Sequence, residues 1–260
     1  PPPPPPFLQA EDGIRDLDSS LVGSEMCIRD RVRVASFAQA PGERVIKTLK
    51  DAGVLTMPTI GARRHAEKVQ AWGVDAVIAQ GQEGGGHTGR VGSMALWPQA
   101  IDAAAPTPVL AAGGIGDGRG VAAALAVGCV GVWVGTRFLA SDEGGALDVQ
   151  KELILEAGDE DTRRTYLYTG KTSRATYSRF HDLWEKSGLE PLPFPMQVLL
   201  ASGLVEMFRK AEKRDYMGPF AGQVVGLIKE IKPAAKILED MVEEAAEILT
   251  RRLPEQVIAK

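Results

Sequence analysis

From Val32 onward, short apolar runs alternate with amphipathic stretches. VRVASFAQA reads as a strand, and ERVIKTLKDAG as a helix closed by Gly53, where a left-handed C-cap glycine is expected. GVLTMPTI is the next strand, and ARRHAEKVQAWG is a second helix, stopped by Gly73. DAVIAQG, TPVLAAGGI and GVWVGTRFL supply three further strands, with helices near 94–105 and 118–127 between them. Strands that are apolar throughout, each followed by a helix, imply a parallel sheet covered by helices.

Such a sheet is either open and doubly wound or closed into a barrel. No GxGxxG follows the first strand, which disfavours a dinucleotide-binding open sheet. Glycines cluster instead after the last two strands, as AAGGIGDGRG and VGTRF. In barrels, the loops after strands seven and eight commonly build a phosphate site. The expected fold is therefore an α/β TIM (β/α)8 barrel, incomplete, with the five strands read as four to eight. Residues 32–145 form this partial barrel. From 146 onward the pattern changes to helical turns, giving a helical cap over 146–220 and C-terminal helices over 221–260 that pack back on the barrel. Residues 1–31, with six leading prolines, have neither period and no signal-peptide pattern. The stretch AEDGIRDLDSSLVGSEMCIRD resembles translated sequencing-adapter read-through, so this leader is read as non-native or disordered and left out of the fold.

Composition narrows the function. The chain has 260 residues, 44% hydrophobic and 25% charged, with a net charge of -4. There is no basic footprint for nucleic acid or an anionic membrane, and no apolar run of spanning length. Cys27 and Cys129 stand in no metal-ligand spacing, and so few cysteines fit a reducing cytoplasm. Cys129, in an apolar run, reads as a small buried hydrophobe. No metal is expected.

The segment AQGQEGGGHTGR, residues 79–90, is the most informative. Consecutive glycines after a buried strand cost backbone entropy that a plain turn does not require; they let main chain approach a ring or a phosphate. His87 closes the run, at the strand end where barrel enzymes keep catalytic groups, and an imidazole there can take a proton at neutral pH. An exposed histidine on a flexible loop is the bland alternative. His65, taken as mid-helix, reads as solvated, and His181 as a packing or capping residue. Gly113 and Gly114 present peptide N–H groups ahead of a helix, a natural anion cradle. Gly135 and Thr136 repeat the device one strand on, with a hydroxyl donor added. The phosphate could belong to a sugar phosphate or to a flavin mononucleotide.

At these residues the sequence resembles the nitronate monooxygenase family, also called 2-nitropropane dioxygenases. The matching residues are Gln80, Gly81, Glu83, Gly84, Gly85, Gly86, His87 and Gly89, with Gly84 where the family has alanine, then Pro108–Ile115, then Trp133–Phe138 with Glu143, and finally Pro219–Gln223. The resemblance implies an FMN-dependent barrel, with FMN contacts at Gln80, Gly85, Gly86, Gly113, Gly114, Trp133, Val134, Gly135 and Thr136, and the catalytic base at His87. It also implies oxidation of alkyl nitronates or nitroalkanes with O2 to a carbonyl compound and nitrite. Family members have about three further strand units at the front, so residues supplied there are not assigned. Rival readings are a flavin-dependent enoyl reductase or an NAD(P)H:quinone reductase on the same barrel and, from another class, an inactive barrel fragment.

Overall fold

The computed structural model describes Ile28 and residues 31–257. Apart from Ile28 and Arg31, the leader lies outside the described residues. The first half is a strand-helix alternation: β1 (Val34–Phe37), α1 (Glu43–Asp51), β2 (Leu55–Ile60), α2 (Arg63–Ala71), β3 (Val77–Gln80), β4 (Gly86–His87), α3 (Ser93–Ala104), β5 (Val109–Ala112), α4 (Gly118–Val127), β6 (Gly131–Trp133). Five of these strands form one parallel sheet in the order β1-β2-β3-β5-β6. Sequential strands lie side by side, as in an arc of a TIM barrel. Gly53 and Gly73 take φ of +77° and +71°, the left-handed values expected where α1 and α2 stop.

Burial explains why these strands read as continuous apolar runs. Val77, Ile78 and Ala79 of β3 are fully buried, between the sheet's two faces. Leu96, Trp97 and Ala100 of α3 pack on one core cluster with Val77, Ala79, Val109 and Ala111. Trp97 Nε1 donates to the Ala79 carbonyl oxygen at 3.1 Å, so the indole enters the core with its polar edge satisfied.

Two local readings need correction. GVWVGTRFL is not strand throughout: β6 ends at Trp133 and α5 (Thr136–Leu139) follows at once. Arg137 draws the chain round, donating to the carbonyl oxygens of Ala140 at 2.9 Å and Glu230 at 2.8 Å. After α6 (Asp148–Glu156), the region read as helical holds β7 (Thr162–Thr165) and β8 (Ser173–Thr176). With β4 they make a three-stranded antiparallel sheet, order β4-β8-β7. The rest is helical: α7 (Arg179–Ser187), α8 (Met196–Lys210), a 3-10 turn at Gln223–Leu227 and α9 (Ala234–Glu247). Helix α9 lies on α4 so closely that a Cβ on Gly118 would stand 2.5 Å from Glu244 Cβ. Glu143 Oε2 accepts the Ala234 N–H at 2.7 Å and so anchors the start of α9. No described helix is long and apolar enough to cross a membrane.

Candidate active site

Two cavities open at the C-terminal ends of the parallel strands, and Gln80 lines both. The Gln80 amide donates to the carbonyl oxygens of Gly85 at 3.2 Å and His87 at 3.0 Å. Its two N–H bonds are thereby used to curl the glycine loop back over β3, and Oε1 remains as an acceptor.

The loop is anchored at both ends. Glu83 caps α3: its carboxylate accepts from the Ser93 N–H at 3.0 and 3.1 Å and from Ser93 Oγ at 3.0 Å. From the small sheet, Arg174 donates to the Gln82 carbonyl oxygen at 3.1 Å and Arg164 to that of Gly89 at 2.9 Å. Gly85 is required by a close approach. A Cβ there would lie 2.8 Å from the Ala221 backbone. Gly86 is required by conformation, with φ of +71° and open space around it.

The first cavity, about 400 Å3, has His87 in its wall. The backbone of His87 pairs with Ser173 on β8, and its Nε2 lies 3.0 Å from Thr169 Oγ1. His65, Lys68 and Lys171 line the same space, and no carboxylate is among its lining residues. Lys171 donates to Gln39 Oε1 at 3.1 Å and sits 4.1 Å over the Phe194 ring; among the described residues it has no ion-pair partner. Burial, with Lys171 adding to it, holds the His87 imidazole below its ordinary value. His87 is therefore a partly buried imidazole biased toward its neutral form, in a cavity lined by lysine. His65 is not the solvated mid-helix residue expected. It stands in the first turn of α2, facing the cavity, and burial is the main cause that lowers its pKa. His181 is buried and caps α7 through Ser178, in line with the packing role read for it.

The second cavity, about 460 Å3, is walled largely by glycine backbone. Gly85, Gly86, Gly113, Gly114, Trp133, Gly135 and Thr136 all line it. Val134 does not: its side chain packs on the core cluster instead. Among the described residues the N–H groups of Gly114, Gly135 and Thr136 have no acceptor, although Gly113 and Gly114 are held open at φ of +89° and +74°. Thr136 Oγ1 accepts the Gly222 N–H at 3.0 Å, which leaves its proton for another acceptor.

The cradle differs from the expected one in an important respect. The N-terminus of α4 is already capped. Asp117 accepts from Arg119 N–H at 3.0 Å, and Glu244 Oε2 accepts from Gly118 N–H at 2.8 Å. Two carboxylates occupy the donors that a phosphate would need, so the free N–H groups lie upstream, at Gly114, and on the neighbouring loop. The sequence reading also missed Phe220, Gly222 and Val224 in this wall, and Thr169, Lys171 and Thr172 around the first cavity. The PFAGQ segment, already part of the resemblance, carried a usable signal for Phe220 and Gly222. Nothing local marked Thr169, Lys171 or Thr172.

A bound group spanning both cavities would have roughly the volume range of known ligand sites, 300–1,000 Å3. One end offers unaccepted backbone N–H groups and a free hydroxyl proton, and the other a neutral imidazole beside lysine.

The nitronate monooxygenase family matches this chain over residues 10–244, a span that begins inside the stretch set aside above. A Mycobacterium tuberculosis protein, (3aS,4S,5R,7aS)-5-hydroxy-7a-methyl-1-oxo-octahydro-1H-indene-4-carboxyl-CoA dehydrogenase, is 51% identical over 152 residues, covering 58% of this chain and 43% of that protein. A Bacillus subtilis protein named as a probable nitronate monooxygenase is 35% identical over 234 residues, covering 86% and 67%. Among solved structures, nitroalkane oxidase from Streptomyces ansochromogenes superposes with a TM-score of 0.81 at 36% identity, over 90% of this chain and 70% of that one. The chain spans about half the length of the first curated relatives it matches, 43% to 58%.

Proposed function

The chain belongs to the nitronate monooxygenase family, a family of flavin-dependent oxidoreductases, and from that premise we propose that it takes part in FMN-dependent oxidation of alkyl nitronates by O2 to a carbonyl compound and nitrite. The observation that carries this reading is the pair of cavities meeting at Gln80, one walled by glycine backbone and the other holding His87 beside Lys171. FMN, when bound, supplies the electron acceptor.

Gly114, Gly135 and Thr136 would hold its phosphate through N–H and hydroxyl donors, and Gln80 Oε1 and the backbone of Gly85 and Gly86 would meet the remainder. Gly113 keeps that wall open, and Trp133, at the exposed end of β6, borders the same space. His87 removes the proton alpha to the nitro group of a neutral nitroalkane. For a nitronate already ionised that transfer is unnecessary, and Lys68 and Lys171 attract and orient the anion.

His87→Asn tests this. Turnover of neutral nitroethane should fall by about 10²-fold or more, the scale of a positioned base, while turnover of ethylnitronate falls much less. Equal losses on both substrates would remove His87 as the proton acceptor.

A second reading is favoured by the 51% identity to the indene-carboxyl-CoA dehydrogenase. In it, His87 takes a proton alpha to a thioester carbonyl, and the lysines receive an anionic nucleotide. Flavin-loaded protein separates the two. Nitrite release and oxygen uptake with ethylnitronate support the first reading; flavin bleaching by a cyclic carboxyl-CoA ester, without nitrite chemistry, supports the second.

A further inference from the structure

The turn between β7 and β8 brings one hydroxyl to His87. Thr169 is 7% exposed, and its Oγ1 has three polar neighbours: the Lys171 carbonyl oxygen at 3.0 Å, the Lys171 N–H at 3.2 Å and His87 Nε2 at 3.0 Å. A hydroxyl has one proton and two lone pairs. The carbonyl oxygen can only accept, so it takes the proton. The N–H can only donate, so it takes one lone pair. What faces His87 is the second lone pair, and Nε2 must then carry hydrogen. In a neutral ring with Nε2–H, the basic lone pair is on Nδ1.

We propose that Thr169 fixes His87 as the Nε2–H tautomer and thereby makes Nδ1 the atom that accepts the substrate proton. This rests on the assignment of His87 as base. Thr169 is a positioning residue: it acts on the ring and does not touch substrate.

The arrangement has a mechanistic consequence. When Nδ1 takes a proton, the imidazolium still donates from Nε2 to Thr169, so no hydrogen bond in the turn has to break. In the opposite tautomer, Thr169 would donate to Nε2 and lose that bond on every protonation. The turn is built to stay put. Gly170 takes φ of +71°, and a side chain there would strike the Leu192 carbonyl. Gln197, 1% exposed, donates to the Leu167 carbonyl oxygen and accepts the Leu192 N–H at 2.9 Å, tying α8 to the same turn. The His87 backbone is paired with Ser173 just beyond the turn, so ring and hydroxyl share one rigid frame.

The chain has three histidines, His65, His87 and His181, so 15N-histidine labelling gives a tractable spectrum. His87→Gln assigns the His87 signals. At a pH where His87 is neutral, Nε2 should show the protonated shift and Nδ1 the unprotonated one. Thr169→Val, close to isosteric, should move both shifts toward the average of two exchanging tautomers, and Thr169→Ser should restore the wild-type pattern. In parallel, turnover of neutral nitroethane in Thr169→Val should fall by about tenfold, a part of what a positioned base contributes, with ethylnitronate turnover falling much less. A wild-type Nδ1–H pattern, read without any variant at position 169, overturns the proposal, as does a Thr169→Val spectrum identical to wild type. Intact nitroethane turnover in His87→Asn overturns the base assignment and leaves the tautomer result standing.

Discussion

Gly222 donates its backbone N–H to Thr136 Oγ1 at 3.0 Å, across 86 residues of sequence. The contact joins the loop after the last parallel strand to the segment that returns from the cap. One hydroxyl therefore shapes the wall of the second cavity as acceptor and faces the cavity as donor.

Thr136→Val removes both roles. The dissociation constant for FMN should rise by about five- to tenfold, the worth of one hydrogen bond, and Thr136→Ser should restore it. Quenching of flavin fluorescence on titration measures it. Wild-type affinity in the valine variant would take the hydroxyl out of the cradle.

The capped N-terminus of α4 gives an opposite expectation. Asp117 serves the helix and not a phosphate, since its carboxylate already accepts the Arg119 N–H. Asp117→Ala should lower unfolding stability by about 1 kcal/mol, as for loss of an N-cap, and leave FMN affinity where it was. Denaturant unfolding and a flavin titration on the same preparation decide between the two roles; tighter or weaker FMN binding would return this helix end to the site.

Gly85 and Gly86 adjoin, yet they should respond differently. Alanine at Gly85 forces the Ala221–Gly222 backbone away, a clash with main chain that costs roughly 1–3 kcal/mol and disturbs the cavity wall. Alanine at Gly86 meets no atom and has only the left-handed conformation to bear, about 1 kcal/mol. Thermal unfolding should rank Gly85→Ala below Gly86→Ala, and flavin content on purification should fall in the same order. The reverse ranking would mean that the PFAGQ segment can yield.

His87 must be neutral to accept a proton. Its rate on a neutral nitroalkane is therefore flat above its pKa and falls below it. Burial first, and Lys171 second, push that pKa down, so the acidic limb should lie below the ordinary histidine value of about 6.5. Lys171→Met removes one cation, raises the pKa and should move the limb toward higher pH. It should stop short of the ordinary value, because burial, the larger cause, remains. A pH profile of kcat/KM with nitroethane checks the shift; a limb that stays fixed or moves to lower pH contradicts it.

The sequence by itself determined the strand-helix alternation and the location of the glycine loops. Each of those elements carries its own signal. β3 is apolar from Val77 to Ala79 because both its faces are buried there, and Gly53 and Gly73 punctuate helices through their own backbone angles. His87, Gly114 and Gly135 were legible as candidates for the same reason, since a glycine or histidine at a strand end is a local departure from the pattern, whereas Gln80 came only from the family resemblance. What the tertiary structure decided depends on partners far along the chain. TRRT and SRAT show no apolar alternation, because β7 and β8 are stabilised by pairing and by arginine contacts to the glycine loop rather than by an apolar face. The capping of α4 by Glu244, 126 residues away, left no mark near Gly118. Thr169 comes to His87 across 82 residues, through one hydrogen bond. A periodic burial pattern is written along an element's own residues, whereas a single long-range hydrogen bond fixes one donor and one acceptor and imposes no pattern on the residues around either.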